Sequence, residues 1–177
     1  MSKKINSRSK GNRGERILVK KFSSWWGKEF YRTPGSGSFA TRGYKHEAMS
    51  LAGDVVTTDE TFPFCIESKN AEGWHLEQLL TSPRCDIIKW WEQAVAETPE
   101  GKIPLLVFTR NHQPHFFMMP IDYWYKVANL GMASRSTAGF IFEIGTTTVK
   151  LGLLDELFER TQPDAWRHHV CEETPRD

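Results

Sequence analysis

Between Gly11 and Trp26 the apolar residues Leu18, Val19, Phe22, Trp25 and Trp26 recur at three- and four-residue spacing, which predicts a helix with one buried face. Glu15 continues that stripe toward the N-terminus. Glu29 to Thr33 alternates like a short strand, and Pro34-Gly35-Ser36-Gly37-Ser38 opens a flexible loop that runs to about Ala52. Gly53 to Thr58 and Phe62 to Asn70 are β-rich and flank an Asp-Glu turn, which predicts an antiparallel hairpin. Arg84 to Glu97 carries Ile87, Ile88, Trp91 and Val95 on one helical face. The nearly continuous apolar run Ile103 to Thr109 predicts a central strand, with His115 to Met119 pairing beside it. A short helix over Ile121 to Asn129, a hairpin through Phe140 to Ile144 and Thr147 to Leu151, and a helix over Leu153 to Arg160 follow. The order of these elements predicts an α/β domain on a mixed central β-sheet flanked by helices.

Composition narrows this picture. The chain has 177 residues, 39% hydrophobic and 25% charged, which suits one compact domain with its own core. No run approaches the ~18 apolar residues of a membrane span, so no membrane partner is expected. The basic N-terminus, MSKKINSRSKGNRGE, lacks an apolar stretch and a small-residue cleavage site, so the reading is cytoplasmic. Cys65, Cys85 and Cys171 form no CxxC pair and read as free thiols. Three segments follow: a basic arm over residues 1–10, a single domain over 11–162, and a mobile C-terminal tail over 163–177, rich in charge and carrying two prolines.

The net charge of +1 hides an asymmetry. Residues 1–50 carry twelve Lys and Arg against three Glu, whereas the rest of the chain is acidic. A basic arm before an acidic body suits a nucleic-acid partner, because cations that neutralise phosphates release condensed counterions. Arg13, Arg16, Lys20, Arg32, Arg42 and Lys45, with Lys10 before them, are the candidate phosphate contacts. Such contacts position DNA without reading its sequence.

The chemistry is concentrated in Gly53-Asp54-Val55-Val56 and Cys65-Ile66-Glu67-Ser68-Lys69. Side chains alternate along a strand, so Glu67 and Lys69 share one face while Phe64, Ile66 and Ser68 take the other. Folding the hairpin brings Asp54 beside Glu67. Two close carboxylates repel, and a divalent cation between them removes the conflict; oxygen ligands of this kind favour Mg²⁺ or Mn²⁺. Lys69 beside such an ion positions water or stabilises charge on a phosphate, which is the equipment of phosphodiester hydrolysis. Glu15, an acid on a buried stripe, needs a partner inside the fold and is a third metal-side candidate. Gln93 either faces the site from the following helix or is a solvated helix residue.

Gly14-Glu15, Gly53-Asp54 and Glu67-Ser68-Lys69 together resemble the PD-(D/E)XK nuclease superfamily. The order of Lys10-Gly11-Asn12-Arg13-Gly14-Glu15-Arg16, Tyr31-Arg32-Thr33-Pro34-Gly35-Ser36-Gly37-Ser38, Gly53-Asp54-Val55-Val56 and Ile66-Glu67-Ser68-Lys69 is similar to archaeal-type Holliday-junction resolvases and related phage proteins. The resemblance covers roughly residues 8–119. It implies a restriction-endonuclease-like fold, a homodimer, Mg²⁺ dependence and paired cuts at a four-way DNA junction in recombination. It makes Asp54 and Glu67 metal ligands, Lys69 the catalytic lysine, Glu15 the helix-borne acid near the metal, and Ser36 or Ser38 an assisting serine. Gly53 stands where that family often has Pro, and the stretch from Phe39 to His46 lengthens the loop before Asp54.

Two other readings keep parts of this. One is a PD-(D/E)XK nuclease acting on linear duplex, flap or single-stranded DNA; the other is a non-catalytic nucleic-acid-binding protein with the same fold. Trp25, Trp26, Trp90 and Trp91 read as core or dimer contacts more readily than as base-stacking platforms. Phe140 and Phe142 suit either a dimer surface or the core. The six histidines show no paired ligand spacing.

Overall fold

The apolar run Ile103–Thr109 forms the central strand, and its alternation sets the layers. Ile103, Leu105 and Val107 face one core while Leu106 and Phe108 face a second on the opposite side. The structure, a computed structural model, describes residues 7–33, 52–129 and 139–172.

Six helices and seven strands are formed by these residues: α1 (Ser7–Trp26), β1 (Tyr31–Arg32), β2 (Val55–Val56), β3 (Phe64–Asn70), α2 (Gln78–Thr81), α3 (Asp86–Glu97), β4 (Ile103–Thr109), β5 (Phe116–Pro120), α4 (Ile121–Asn129), β6 (Phe140–Ile144), β7 (Thr147–Leu153), α5 (Leu154–Arg160) and α6 (Pro163–Glu172). The strands form one sheet in the order β1-β2-β3-β4-β5-β7-β6. Only β3 and β4 are parallel, with Glu67 opposite Leu106 and Lys69 opposite Phe108; every other neighbouring pair is antiparallel. A parallel pair needs a crossover, and the chain carrying α2 and α3 supplies it. The α/β architecture and its mixed, helix-flanked sheet are those expected.

Helix α1 lays Leu18, Phe22 and Trp26 on the first core, where they meet Phe30, Phe62, Phe64 and residues of α4 to α6. Helix α3 covers the other face with Ile87, Ile88, Trp91 and Ala94, joined by Trp74. Ala94 takes the place expected for Val95, which is 43% exposed. Trp26 and Trp91 are buried and Trp25 and Trp90 pack against the cores, so the tryptophans serve packing. Phe142 packs partly on the second core, whereas Phe140 is 65% exposed. Cys65 and Cys85 are buried free thiols. Among the described residues no helix is long and apolar enough to cross a membrane.

Two boundaries differ from the sequence reading. Helix α1 starts at Ser7, so Lys10 lies on the helix rather than in an arm. The segment from Pro163, expected as a mobile tail, is helical to Glu172. Proline suits the first position of a helix, where its missing N–H is not needed. Ala165 and Trp166 of this helix are fully buried, the Trp166 indole donates to Thr161 Oγ1 at 2.9 Å, and the Arg167 guanidinium lies 4.6 Å over the Trp26 ring.

Candidate active site

Asp54 is placed by a glycine that the backbone demands. Gly53 has φ +100°, and a Cβ there would stand 2.6 Å from the Ile66 carbonyl oxygen, so neither alanine nor proline fits. The close approach lets the Asp54 N–H donate to Ile66 O at 2.7 Å and the Ser68 N–H donate to Asp54 Oδ2 at 2.8 Å. From the other side, the Thr33 N–H donates to Asp54 O and its hydroxyl to Gly53 O. The aspartate is thus locked to the edge of β3 beside Glu67. Gly53, which stands where the resembled family often has Pro, is thus a requirement of this backbone.

On β3, Phe64 and Ile66 enter the first core, and Glu67 and Lys69 take the opposite face, as the alternation predicts. Glu67 is 7% exposed, and Lys69 Nζ stands 2.6 Å from its Oε1. Lys69 Nζ also donates to Gln93 Oε1 at 2.9 Å, and Gln93 Nε2 donates to Glu97 Oε1 at 3.0 Å. An ammonium only donates and a carboxylate only accepts, so Gln93 sits between them in the one orientation its amide allows. Gln93 therefore faces the site, although its side chain is exposed. Glu97, one helical turn on, was not singled out from the sequence; its i, i+4 spacing from Gln93 is the signal that finds it.

Glu15 lies on α1, and its Oε2 accepts from Arg32 Nε at 2.6 Å. Burial first, then the Glu67 charge, push the Asp54 carboxyl up from 3.8 to about 6; the Ser68 N–H opposes them, Glu15 adds to the rise and Lys69 lowers it. Asp54 therefore feels the charges of both other acids. Yet among the described residues no group of three or more His, Cys, Asp or Glu converges as a metal cage. The expected three-acid set is only partly assembled, because Glu15 is turned to Arg32 and Glu67 to Lys69. The donor chemistry still suits a hard divalent cation: Asp54 and Glu67 offer only oxygen, and their repulsion is what a cation relieves.

Of the expected DNA contacts, Arg13, Arg16 and Lys20 are exposed along α1, one per turn, and Lys10 is on the same helix. Arg32 is instead tied to Glu15. Ser36, Ser38, Arg42 and Lys45 lie outside the described residues.

A mixed sheet bearing an aspartate at a hairpin entry, then a glutamate and a lysine two residues apart on the next strand, is the arrangement of a PD-(D/E)XK nuclease. The chain belongs to that class: residues 6–166 match the family described as phage putative PDDEXK endonuclease. No curated protein matches the chain. Among solved structures it is similar to Archaeoglobus fulgidus Hjc, a Holliday junction resolvase from an archaeal hyperthermophile, at 11% identity and a TM-score of 0.35, over 90% of this chain and 96% of that one.

Proposed function

We propose that the protein is a divalent-cation-dependent endonuclease that hydrolyses DNA phosphodiester bonds at four-way junctions, working as a homodimer. The observation that carries the nuclease chemistry is the placement of Asp54, Glu67 and Lys69 on adjoining backbone, with Lys69 held between Glu67 and Gln93. The junction as substrate rests on the order of sequence segments shared with archaeal-type resolvases. The homodimer rests on symmetry, since paired incision of a branched duplex calls for two sites related by a two-fold axis.

In this reading Asp54 and Glu67 would hold Mg²⁺ or Mn²⁺, which would supply Lewis-acid charge to the scissile phosphate and lower the pKa of water. Lys69 donates to a phosphate oxygen as negative charge grows there. Gln93 holds the Lys69 amine near Glu67 until the phosphate arrives. Arg32 fixes Glu15 beside Asp54, and the exposed cations of α1 hold the DNA backbone.

The test is cleavage of an immobile four-way junction beside linear duplex, flap and single strand, with Mg²⁺ or EDTA and with Glu67→Gln as control. Paired symmetric nicks confined to the junction, lost in EDTA and in the variant, are expected. Metal-dependent cutting of another DNA rejects the junction and keeps the site. DNA binding without any cutting supports the non-catalytic reading instead.

A further inference from the structure

Arg110 follows β4 directly and lies on the face that carries Glu67 and Lys69. In the parallel β3–β4 ladder Lys69 stands opposite Phe108, and Arg110 is the next residue on that face. Its guanidinium lies 5.0 Å over the ring of Trp74, which is buried and packs edge-on to Phe108 at 5.0 Å. Strand spacing of ~4.8 Å and a rise of ~3.3 Å per residue put the Arg110 backbone roughly 8 Å from that of Lys69.

Among the described residues, no acid pairs with the guanidinium. Arg110 Nη1 donates to the Trp74 carbonyl at 2.8 Å and meets His75 Nδ1 at 3.3 Å. The exposed Glu77 stands 3.7 Å from that same histidine nitrogen. Arg32 and Arg167 differ, being paired with Glu15 and Asp164. Among the described residues only Nη1 finds partners, which leaves the Nη2 and Nε donors of Arg110 for an outside acceptor. A stacked, oriented guanidinium suits the oxygens of a phosphate, which it meets with two parallel hydrogen bonds.

We infer that Arg110, stacked on Trp74 and backed by His75, binds a DNA backbone phosphate flanking the scissile bond, on the side of the site away from the α1 cations. The inference rests on the nuclease reading for its ligand. Its ligand chemistry is a phosphodiester recognised by charge and shape, so the contact fixes the register of the strand over Lys69 and reads no base.

The experiment compares wild-type protein and Arg110→Gln, which keeps a donor for the Trp74 carbonyl and removes the charge. Binding to a four-way junction and to linear duplex is followed against salt in EDTA, with thermal melting to check the fold. The slope of log affinity against log salt should shrink by about 0.9, with roughly fivefold weaker binding at 0.15 M salt. A methylphosphonate at the flanking position should reproduce the loss in wild type and add nothing in Arg110→Gln. If that variant melts early, Arg110→Lys, which keeps the charge without the fork, is compared instead, and its methylphosphonate effect should be smaller than that of wild type. Unchanged slope and affinity, or a methylphosphonate effect equal in both proteins, overturns the contact. Weakened binding by the variant while wild type cuts no DNA rejects the nuclease reading and keeps the contact. Normal cutting with unaltered binding does the reverse.

Discussion

Lys69 and Glu67 leave β3 on the same face two residues apart, and their charged ends close to 2.6 Å over a carboxylate that is almost entirely buried. Removing one partner of a buried pair strands the other charge, so this contact is held more firmly than a surface ion pair. It also places the Lys69 ammonium on the carboxylate that a divalent cation would share, so the two cations would have to divide Glu67 between them.

Substitutions at these positions should separate chemistry from binding. Asp54→Asn and Glu67→Gln are expected to reduce cutting to background while DNA binding survives, because the proposed phosphate contacts lie on other residues. Lys69→Met should lower the cleavage rate by about 10²-fold or more, the scale seen when one preorganised donor is lost. Parallel gel-shift and cleavage assays check this. Binding lost together with cutting in both acid variants would mean that the acids hold the fold rather than the reaction.

Gly53→Ala should be damaging out of proportion to its size. The left-handed conformation alone costs about 1–3 kcal/mol for a residue with a Cβ, and the added atom would also press on the Ile66 carbonyl. Relief of that pressure opens β2 from β3 and withdraws Asp54 from the Ser68 N–H. Urea melts should show the destabilisation, and cleavage should fall further than stability alone explains. A variant with wild-type stability and cutting would refute this account of the turn.

The C-terminal helix should be structural. Truncating a buried tryptophan typically costs about 3–5 kcal/mol, so Trp166→Ala should lower the melting temperature sharply. Deletion of residues 163–177 should do at least as much, since it also uncovers the Trp26 ring that Arg167 covers. A deletion variant that melts like the full chain would restore the picture of a detached tail.

The contrast between that helix and the active-site hairpin shows what the sequence made legible. Alternation along Phe64–Asn70 fixes faces, because the period of two is a property of the backbone, so the sharing of one face by Glu67 and Lys69 was readable. The same holds for the central strand and for the α1 stripe. The tail misled because charge and proline dominate its composition while one tryptophan, Trp166, decides its burial. The need for Gly53 and the turning of Glu15 toward Arg32 were hidden for another reason: each depends on a residue brought near only by folding, Ile66 in one case and Arg32 in the other. Arg110 carries no local signal at all; only the ladder that sets Phe108 beside Lys69 makes it part of the site's face.

The acid cluster should make stability and cation binding depend on pH in opposite ways. Burial and the Glu67 charge raise the Asp54 carboxyl from 3.8 to about 6, so between these values the folded protein holds a proton that the unfolded chain has released. Stability from this group is therefore complete below pH 4 and is lost as pH rises through 6, by at most about 3 kcal/mol at 1.36 kcal/mol per unit. The measurable quantity that isolates this group is the difference between wild type and Asp54→Asn in EDTA. Urea melts at pH 5 and pH 7.5 should show wild type losing stability relative to the variant as pH rises. Mg²⁺ held at Asp54 would compete with that proton, and a ligand that binds only the native state stabilises it according to its affinity. Adding Mg²⁺ should thus raise the melting temperature of wild type more at pH 7.5 than at pH 5, and should do little for Asp54→Asn. An equal Mg²⁺ effect at both pH values, or the same effect in the variant, would place the cation away from Asp54.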